Sequence, residues 1–435
     1  MAVIETVLEQ QVNLISANNL LLLVLLLSNL TGTSSAKEIR VCKDCQPNTI
    51  SQAIEMSEDG DRIIIQSGYY KEHDILIDKQ ISLIGEGYPV IDVELKGNGF
   101  TVTKPNVLIK GLTIKNIDVN YLSELSGIKI DYADNCVVED NILDLTFFGI
   151  YISGSKNCKV RGNTITGLAK TESSSGNGIH LWKCSQIQVV NNRISGHRDG
   201  IYLEFVSSSS ISENYSKQNL RYGLHFMFSD GNDYTSNTFD KNGAGVAVMY
   251  SKNIVMKGNT FQNNWGDASY GILLKELYDG VMENNVFFKN TIGIYLEGSS
   301  RIEMINNDFT ENGWAMNILG NSEDNKIVGN NFVNNTFDIS SNSSRNYNLY
   351  SGNYWDKYKG YDINKDGIGD VPYRPVSLFS LVLDKSPESI VMLRSIIVDL
   401  LDAMEKIVPS IIPETLIDEQ PRITKSGHDK HKQPS

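Results

Sequence analysis

Between residues 127 and 353 the apolar positions come in short bursts, not in helical periods. Segments of the form Gly-apolar-x-apolar recur as SGIKI, FGIYI, NGIHL, DGIYL, YGLHF, AGVAV, YGILL and IGIYL. Their glycines are Gly127, Gly149, Gly178, Gly200, Gly223, Gly245, Gly271 and Gly293, with steps of 22, 29, 22, 23, 22, 26 and 22 residues. A series of asparagines keeps the same steps and lengthens in the same places: Asn141, Asn163, Asn192, Asn214, Asn237, Asn259, Asn285 and Asn307, continuing to Asn330 and Asn353. Two markers that skip together define one repeat of about 22 residues.

Each unit reads as two or three strands of about 3–5 residues, too short to bury a face alone. Stacked units would pair strand on strand at about 4.8 Å per coil around one continuous apolar interior. The expected fold is therefore all-β, a right-handed parallel β-helix of about 11–12 coils over residues 75–355. The recurrent asparagines are expected at one turn, left-handed, with their amides stacked in a ladder. Residues 37–74 read as an N-terminal cap with a short helix and a first strand.

Alternation within the Gly segments assigns the faces. Positions one and three after the glycine are apolar (Ile150/Ile152, Ile201/Leu203, Leu224/Phe226, Val246/Val248) and point inward. One outward ladder then reads Lys129, Tyr151, His180, Tyr202, His225, Ala247, Leu273, Tyr295. The next reads Asp131, Ser153, Trp182, Glu204, Met227, Met249, Lys275, Glu297. His225 and Met227 share a face about 6.5–7 Å apart at the backbone, and Met249 lies one coil from Met227. Imidazole with thioethers is a ligand set for Cu(I). His180 is two coils from His225, nearly 10 Å away at the backbone. The alternative reading is an aromatic and methionine stripe that packs under a loop or a partner. Insertions at 169–177 and 263–269 lie close by, and insertions on a solenoid gather on its binding face. Cys136 and Cys158 stack in adjacent coils and read as small-residue filling.

The ends of the chain differ in character. Residues 1–36 carry the apolar run LLLLVLLL, of signal-peptide length, and form a signal peptide or an uncleaved N-terminal anchor. Outside the cytoplasm Cys42 and Cys45, in CKDC, form either a disulfide or a soft-metal pair. Beyond the last coil, DINKDGIGD in 356–376 places Asp362, Asn364, Asp366 and Asp370 at the spacing of an EF-hand-type loop. It lacks the glutamate of the twelfth position, where Tyr373 stands, and reads as a weak calcium site or a metal-free polar turn. Residues 377–418 adopt a helical period, with Ile390, Leu393, Ile397, Leu400, Leu401, Met404 and Ile407 at three- and four-residue steps. These amphipathic helices would cap the solenoid or dock on a membrane partner. Residues 419–435 read as a disordered tail. The formal net charge of −13 argues against nucleic acid as partner, since phosphate neutralisation needs a basic surface.

The coils GNGIHLW, RDGIYLEF, RYGLHFMFS and GVAVMYS, followed by GNYWDKYKGYDINKDGIGDVPYRPVSLF, resemble the NosD family from about 46 to 420. The resemblance implies a non-enzymatic part in copper-site assembly on nitrous oxide reductase, outside the cytoplasm. It implies work with an ABC-type ATPase, a membrane permease and a copper chaperone, and membrane association through the permease. His225, Met227 and Met249 fall on matching motif positions; CKDC lies outside the family pattern. Two other readings share the fold. A polysaccharide lyase or epimerase would draw on His197, Arg198, Asp199 and Glu204, although Asp199, just before the turn glycine, reads as a turn residue. A cell-surface adhesin would need only the fold.

Overall fold

The computed structural model describes residues 36–120, 124–343, 347–393, 395–407 and 416–426. The expected leader 1–36, apart from Ala36, lies outside them, as do 408–415 and the end of the expected tail, 427–435.

Short strands stack in register into a parallel β-solenoid. One sheet holds thirteen parallel strands, from Tyr69–Lys71 to Tyr354–Trp355, and the remaining walls merge into a second sheet of twenty-four. The stack has about 14 turns, more than the expected 11–12. The extra turns lie at the N-terminal end, where Leu112 stands in the asparagine ladder's place and donates its backbone N–H to the Asn141 side chain at 3.0 Å. Strands Arg62–Ile65 and Tyr69–Lys71, within the segment expected to be a cap, already belong to the stack. The capping element itself is helix α1, Ile50–Met56. Thr49 caps its first turn, the Glu72 carboxylate accepts from the Ile50 and Ser51 N–H groups (2.8 and 3.0 Å), and Ile50, Ala53 and Ile54 are buried.

The inward positions are fully buried, as the alternation predicts. Phe239, Phe261, Phe287, Phe309, Phe332 and Trp355 stack along the axis with ring centroids 4.0–5.5 Å apart, so the rise per coil matches the spacing of stacked rings. The glycine of the repeat is fixed by crowding between coils. A Cβ at Gly223 would stand 2.7 Å from the Gly245 carbonyl oxygen and 2.8 Å from the Asn242 amide nitrogen.

The asparagine ladder exists, but not in the expected conformation. The left-handed residue is the one before each ladder position, for instance Asp140 (φ 53°) before Asn141 and Asn191 (φ 53°) before Asn192. That bend turns the asparagine inward. The Asn163 side-chain oxygen accepts from both the backbone and side-chain N–H of Asn141 at 3.0 Å, and the Asn141 amide donates to the Ile109 carbonyl. The amides of this ladder thereby find partners. A second ladder, not read from the sequence, runs Asn219, Asn242, Asn264, Asn290, Asn312, Asn335. His197 begins it: its backbone N–H donates to the Asn219 side chain at 3.1 Å.

At the far end, helix α2 (Leu378–Lys385) buries Phe379 and Leu383 against Phe337. A 3₁₀ segment (Pro387–Met392) and helix α3 (Ile396–Ile407) follow. Residues 416–418, expected within the helical segment, are not helical, and 419–426, expected as disordered tail, are ordered. Asp418 and Arg422 bridge to Tyr350 and Tyr354 of the last coil on one side, and to Tyr373 and Ile368 on the other. This edge of the sheet needs a partner for its backbone groups, and the tail supplies one. Among the described residues no helix is long and apolar enough to cross a membrane.

Candidate metal centre

Strands β1 (Asp199–Glu204), β2 (Tyr222–Met227) and β3 (Ala244–Lys257) carry the predicted face. Their register pairs Tyr202 with His225 and Ala247, and Glu204 with Met227 and Met249, as the sequence spacing requires. Met227 and Met249 are half-buried register partners.

The histidine ladder points outward yet is covered. His225 is 2% exposed and His180 7%. Rings close over them: Phe148 lies 5.5 Å from His180, and Tyr222 lies 4.9 Å from His225. The insertion at 169–177 also reaches this face. Gly176 accepts the Arg198 N–H, and Glu172 acts electrostatically on Arg221 and Tyr222. Tyr151, His180, Tyr202 and His225 stack alternately at 4.7–4.8 Å. The Tyr202 ring thus stands between the two histidines, and the structure does not bring His180 to the His225 site.

A buried ion pair sets the state of His225. Asp199, read from the sequence as a turn residue, opens β1 and is fully buried. Arg221, one coil on, grips it with Nε and Nη2 at 2.9 and 2.6 Å, and Arg198 Nε lies 3.5 Å away. Burial opposes charge on Asp199, but the hydrogen bonds of His225 and Arg221 and the guanidinium charge outweigh it. They hold its carboxyl well below the usual range. His225 Nδ1 faces Arg221 Nη2 at 3.3 Å and Asp199 Oδ2 at 3.7 Å. Burial lowers the His225 pKa and Asp199 partly restores it, so the imidazole is neutral at neutral pH.

His225 Nε2 is buried without a hydrogen-bond partner. With Nδ1 accepting from Arg221, the proton sits on Nε2. With Nδ1 protonated and turned to Asp199, the Nε2 lone pair is free for a soft cation, in the manner of carboxylate-supported histidine ligands. A further feature escaped the sequence reading. Phe205, Phe228 and Tyr250, beside the methionine ladder, stack at 5.4 and 5.2 Å and are 48%, 47% and 38% exposed. All three are left-handed (φ 54°, 50° and 52°), a conformation that costs bulky residues energy.

The other predicted residues fall elsewhere. His197 is interior, with Nε2 3.2 Å from Thr146 Oγ1, and burial pushes its pKa down to about 4. Cys136 and Cys158 are buried and donate to backbone carbonyls at 3.4–3.6 Å, as filling residues do. Cys42 and Cys45 form a disulfide. Asp362, Asn364, Asp366 and Asp370 do share one loop, but they hold its own backbone. Asp362 accepts from the Asp366 and Gly367 N–H groups, Asp366 from Ile368, and Asp370 from Ile363. Among the described residues no group of three or more His, Cys, Asp or Glu side chains is arranged to hold a metal ion.

A family model for NosD, described as a periplasmic copper-binding protein, matches residues 54–172 and 165–360. The chain belongs to the NosD family. Two NosD relatives, each named a probable ABC transporter binding protein, agree along most of their length. That of Stutzerimonas stutzeri is 27% identical over 79% of this chain and 83% of its own. That of Pseudomonas aeruginosa is 29% identical over 83% and 88%. Among solved structures, the A-module of a mannuronan C-5 epimerase from Azotobacter vinelandii superposes with a TM-score of 0.57 at 13% identity, over 70% of this chain and 94% of its own. A Family 28 exopolygalacturonase from Yersinia enterocolitica gives 0.58 at 13% identity, over 72% and 79%. These likenesses show that the chain shares the fold of those enzymes and nothing beyond it.

Proposed function

We propose that this NosD chain is a non-enzymatic copper carrier outside the cytoplasm, acting with an ABC-type ATPase and permease to assemble the copper site of nitrous oxide reductase. Copper is its cargo, held transiently as Cu(I). The observation that carries this reading is the in-register thioether pair Met227 and Met249, set beside a neutral, unprotonated-capable imidazole whose Nε2 has no protein partner. Thioether and imidazole favour Cu(I), and a neutral histidine gives up no bound charge to take it. The names of the relatives support the transporter association.

Two surfaces suit protein partners. The stacked Phe205, Phe228 and Tyr250 border the methionines, where a copper chaperone would have to approach to exchange ligands. At the far end Val391, Ile396, Ile397 and Leu400 are 82%, 85%, 53% and 59% exposed, an apolar face fit for a membrane permease.

Cu(I) titration of the purified chain against a competing chelator tests the reading. One site is expected, weakened at least tenfold in His225→Ala and in Met227→Ala. Unchanged affinity in both variants sinks the site, and turnover of an acidic polysaccharide would favour an enzyme instead. Deleting the gene should leave nitrous oxide reductase without its catalytic copper.

A further inference from the structure

The copper reading leaves one chemical group unused, the Cys42–Cys45 pair at the N-terminal end of the solenoid. We infer that this pair is a redox-gated soft-metal site, closed as a disulfide and open to Cu(I) as a dithiol. The inference rests on the reading of the chain as a copper handler but uses a separate site.

Three observations carry it. First, both cysteines are only half-buried, whereas Cys136, Cys158 and Cys184 are buried and bonded to backbone carbonyls. Among the described residues CKDC therefore offers the cysteine sulfur that solvent and a partner can reach. Second, the crosslink spans a sequence separation of 3, the low end of loop closure, where constraint of the unfolded chain contributes least. Third, the backbone here is already held without it. The Cys45 N–H donates to the Cys42 carbonyl at 3.2 Å, the Gln66 N–H to the Val41 carbonyl at 2.9 Å, and the Tyr70 hydroxyl to that same carbonyl at 3.3 Å. The pair is positioned by its surroundings, with Cα atoms 5.0 Å apart, and two sulfurs suffice for a monovalent soft ion.

The chemistry balances with a dithiol reductant. One of its thiolates attacks a cysteine sulfur, breaking the Cys42–Cys45 bond and forming a mixed disulfide. Its second thiolate closes the reductant's own disulfide and releases both cysteines. Two electrons and two protons pass from reductant to protein. Binding Cu(I) then displaces the two thiol protons. An oxidising partner reverses the cycle and expels the ion.

The test is Cu(I) titration of the full chain against a competing chelator, before and after treatment with dithiothreitol and its removal without air. Reduced protein should bind one more equivalent than oxidised protein. Cys42→Ser/Cys45→Ser should bind the same number in both states, equal to the oxidised wild type. His225→Ala/Met227→Ala should lose the other equivalent and keep the redox-dependent one, so the two sites fail separately. Alkylating the reduced wild type with iodoacetamide, with mass spectrometry confirming modification at Cys42 and Cys45 alone, should abolish the extra equivalent without any mutation. Equal stoichiometry in oxidised and reduced wild type overturns the inference, as does an extra equivalent that survives the double serine variant.

Discussion

The Asp418 carboxylate closes the asparagine ladder at Asn353: one oxygen accepts both the backbone and the side-chain N–H of Asn353, at 3.1 and 2.9 Å. The same oxygen takes the Trp355 indole N–H at 3.1 Å. Each coil passes its donors to the next, and at the last coil no next asparagine exists. Removing the carboxylate strands three buried donors. Asp418→Ala should cost about 3 kcal/mol or more, at about 1–3 for each of the three donors left unsatisfied. Denaturant unfolding measures it, and a loss below about 0.5 kcal/mol would mean the tail is not the cap.

The buried ion pair predicts an asymmetry between its partners' variants. Asp199→Ala leaves the Arg221 guanidinium in a half-buried site without its bidentate acceptor and should destabilise by about 3 kcal/mol or more. Asp199→Ala with Arg221→Met should recover much of that loss. Thermal unfolding of these two variants and of Arg221→Met alone decides it; additive losses would show that the two residues do not act as a pair.

His197 predicts a pH dependence. Burial lowers its folded-state pKa to about 4, against about 6.5 unfolded. Below pH 6.5 the unfolded chain takes up a proton that the folded chain refuses, so stability is full above that pH and is lost as pH falls from 6.5 toward 4. The loss is about 3 kcal/mol from the 2.5-unit difference. His197→Asn would extend the second ladder by one member and should flatten the slope over this window. An unchanged slope in that variant would assign the titration elsewhere, with His180, lowered to about 3, the next residue to replace.

Crowding between coils predicts the outcome at a repeat glycine. Gly223→Val would push methyl groups into the Gly245 carbonyl and the Phe239 ring, 2.7 and 2.9 Å from the first added carbon. A loss of about 3 kcal/mol or more is expected, read as a drop in denaturation midpoint. A midpoint within error of the wild type would show that the coils can part there.

What the sequence disclosed and what it hid have physical reasons. Glycine and asparagine mark the repeat because a close backbone approach and a row of turn amides admit few other residues. The first coils lack that signature, since Leu112 fills the ladder position with apolar contact instead. The direction of His225 followed from alternation, but its burial did not, because Tyr202 and the 169–177 insertion come from other turns and Tyr222 folds over the ring from its own strand. Asp199 and Arg221 meet only once the 22-residue register is applied to residues that stand before the glycine. Asp418 was out of reach: it lies 65 residues beyond its partner, past a helical segment.

In-register stacking also makes the solenoid a measuring rod. Beyond the coil that holds β3, the thirteen-stranded sheet adds four strands, beginning at Val286, Asp308, Asn331 and Tyr354. At about 4.8 Å each, they set Met249 roughly 19 Å from the end where the helices sit. Duplicating or deleting one coil would move the cargo site by one rung while leaving its residues intact. Reach would then change in fixed steps, independent of affinity.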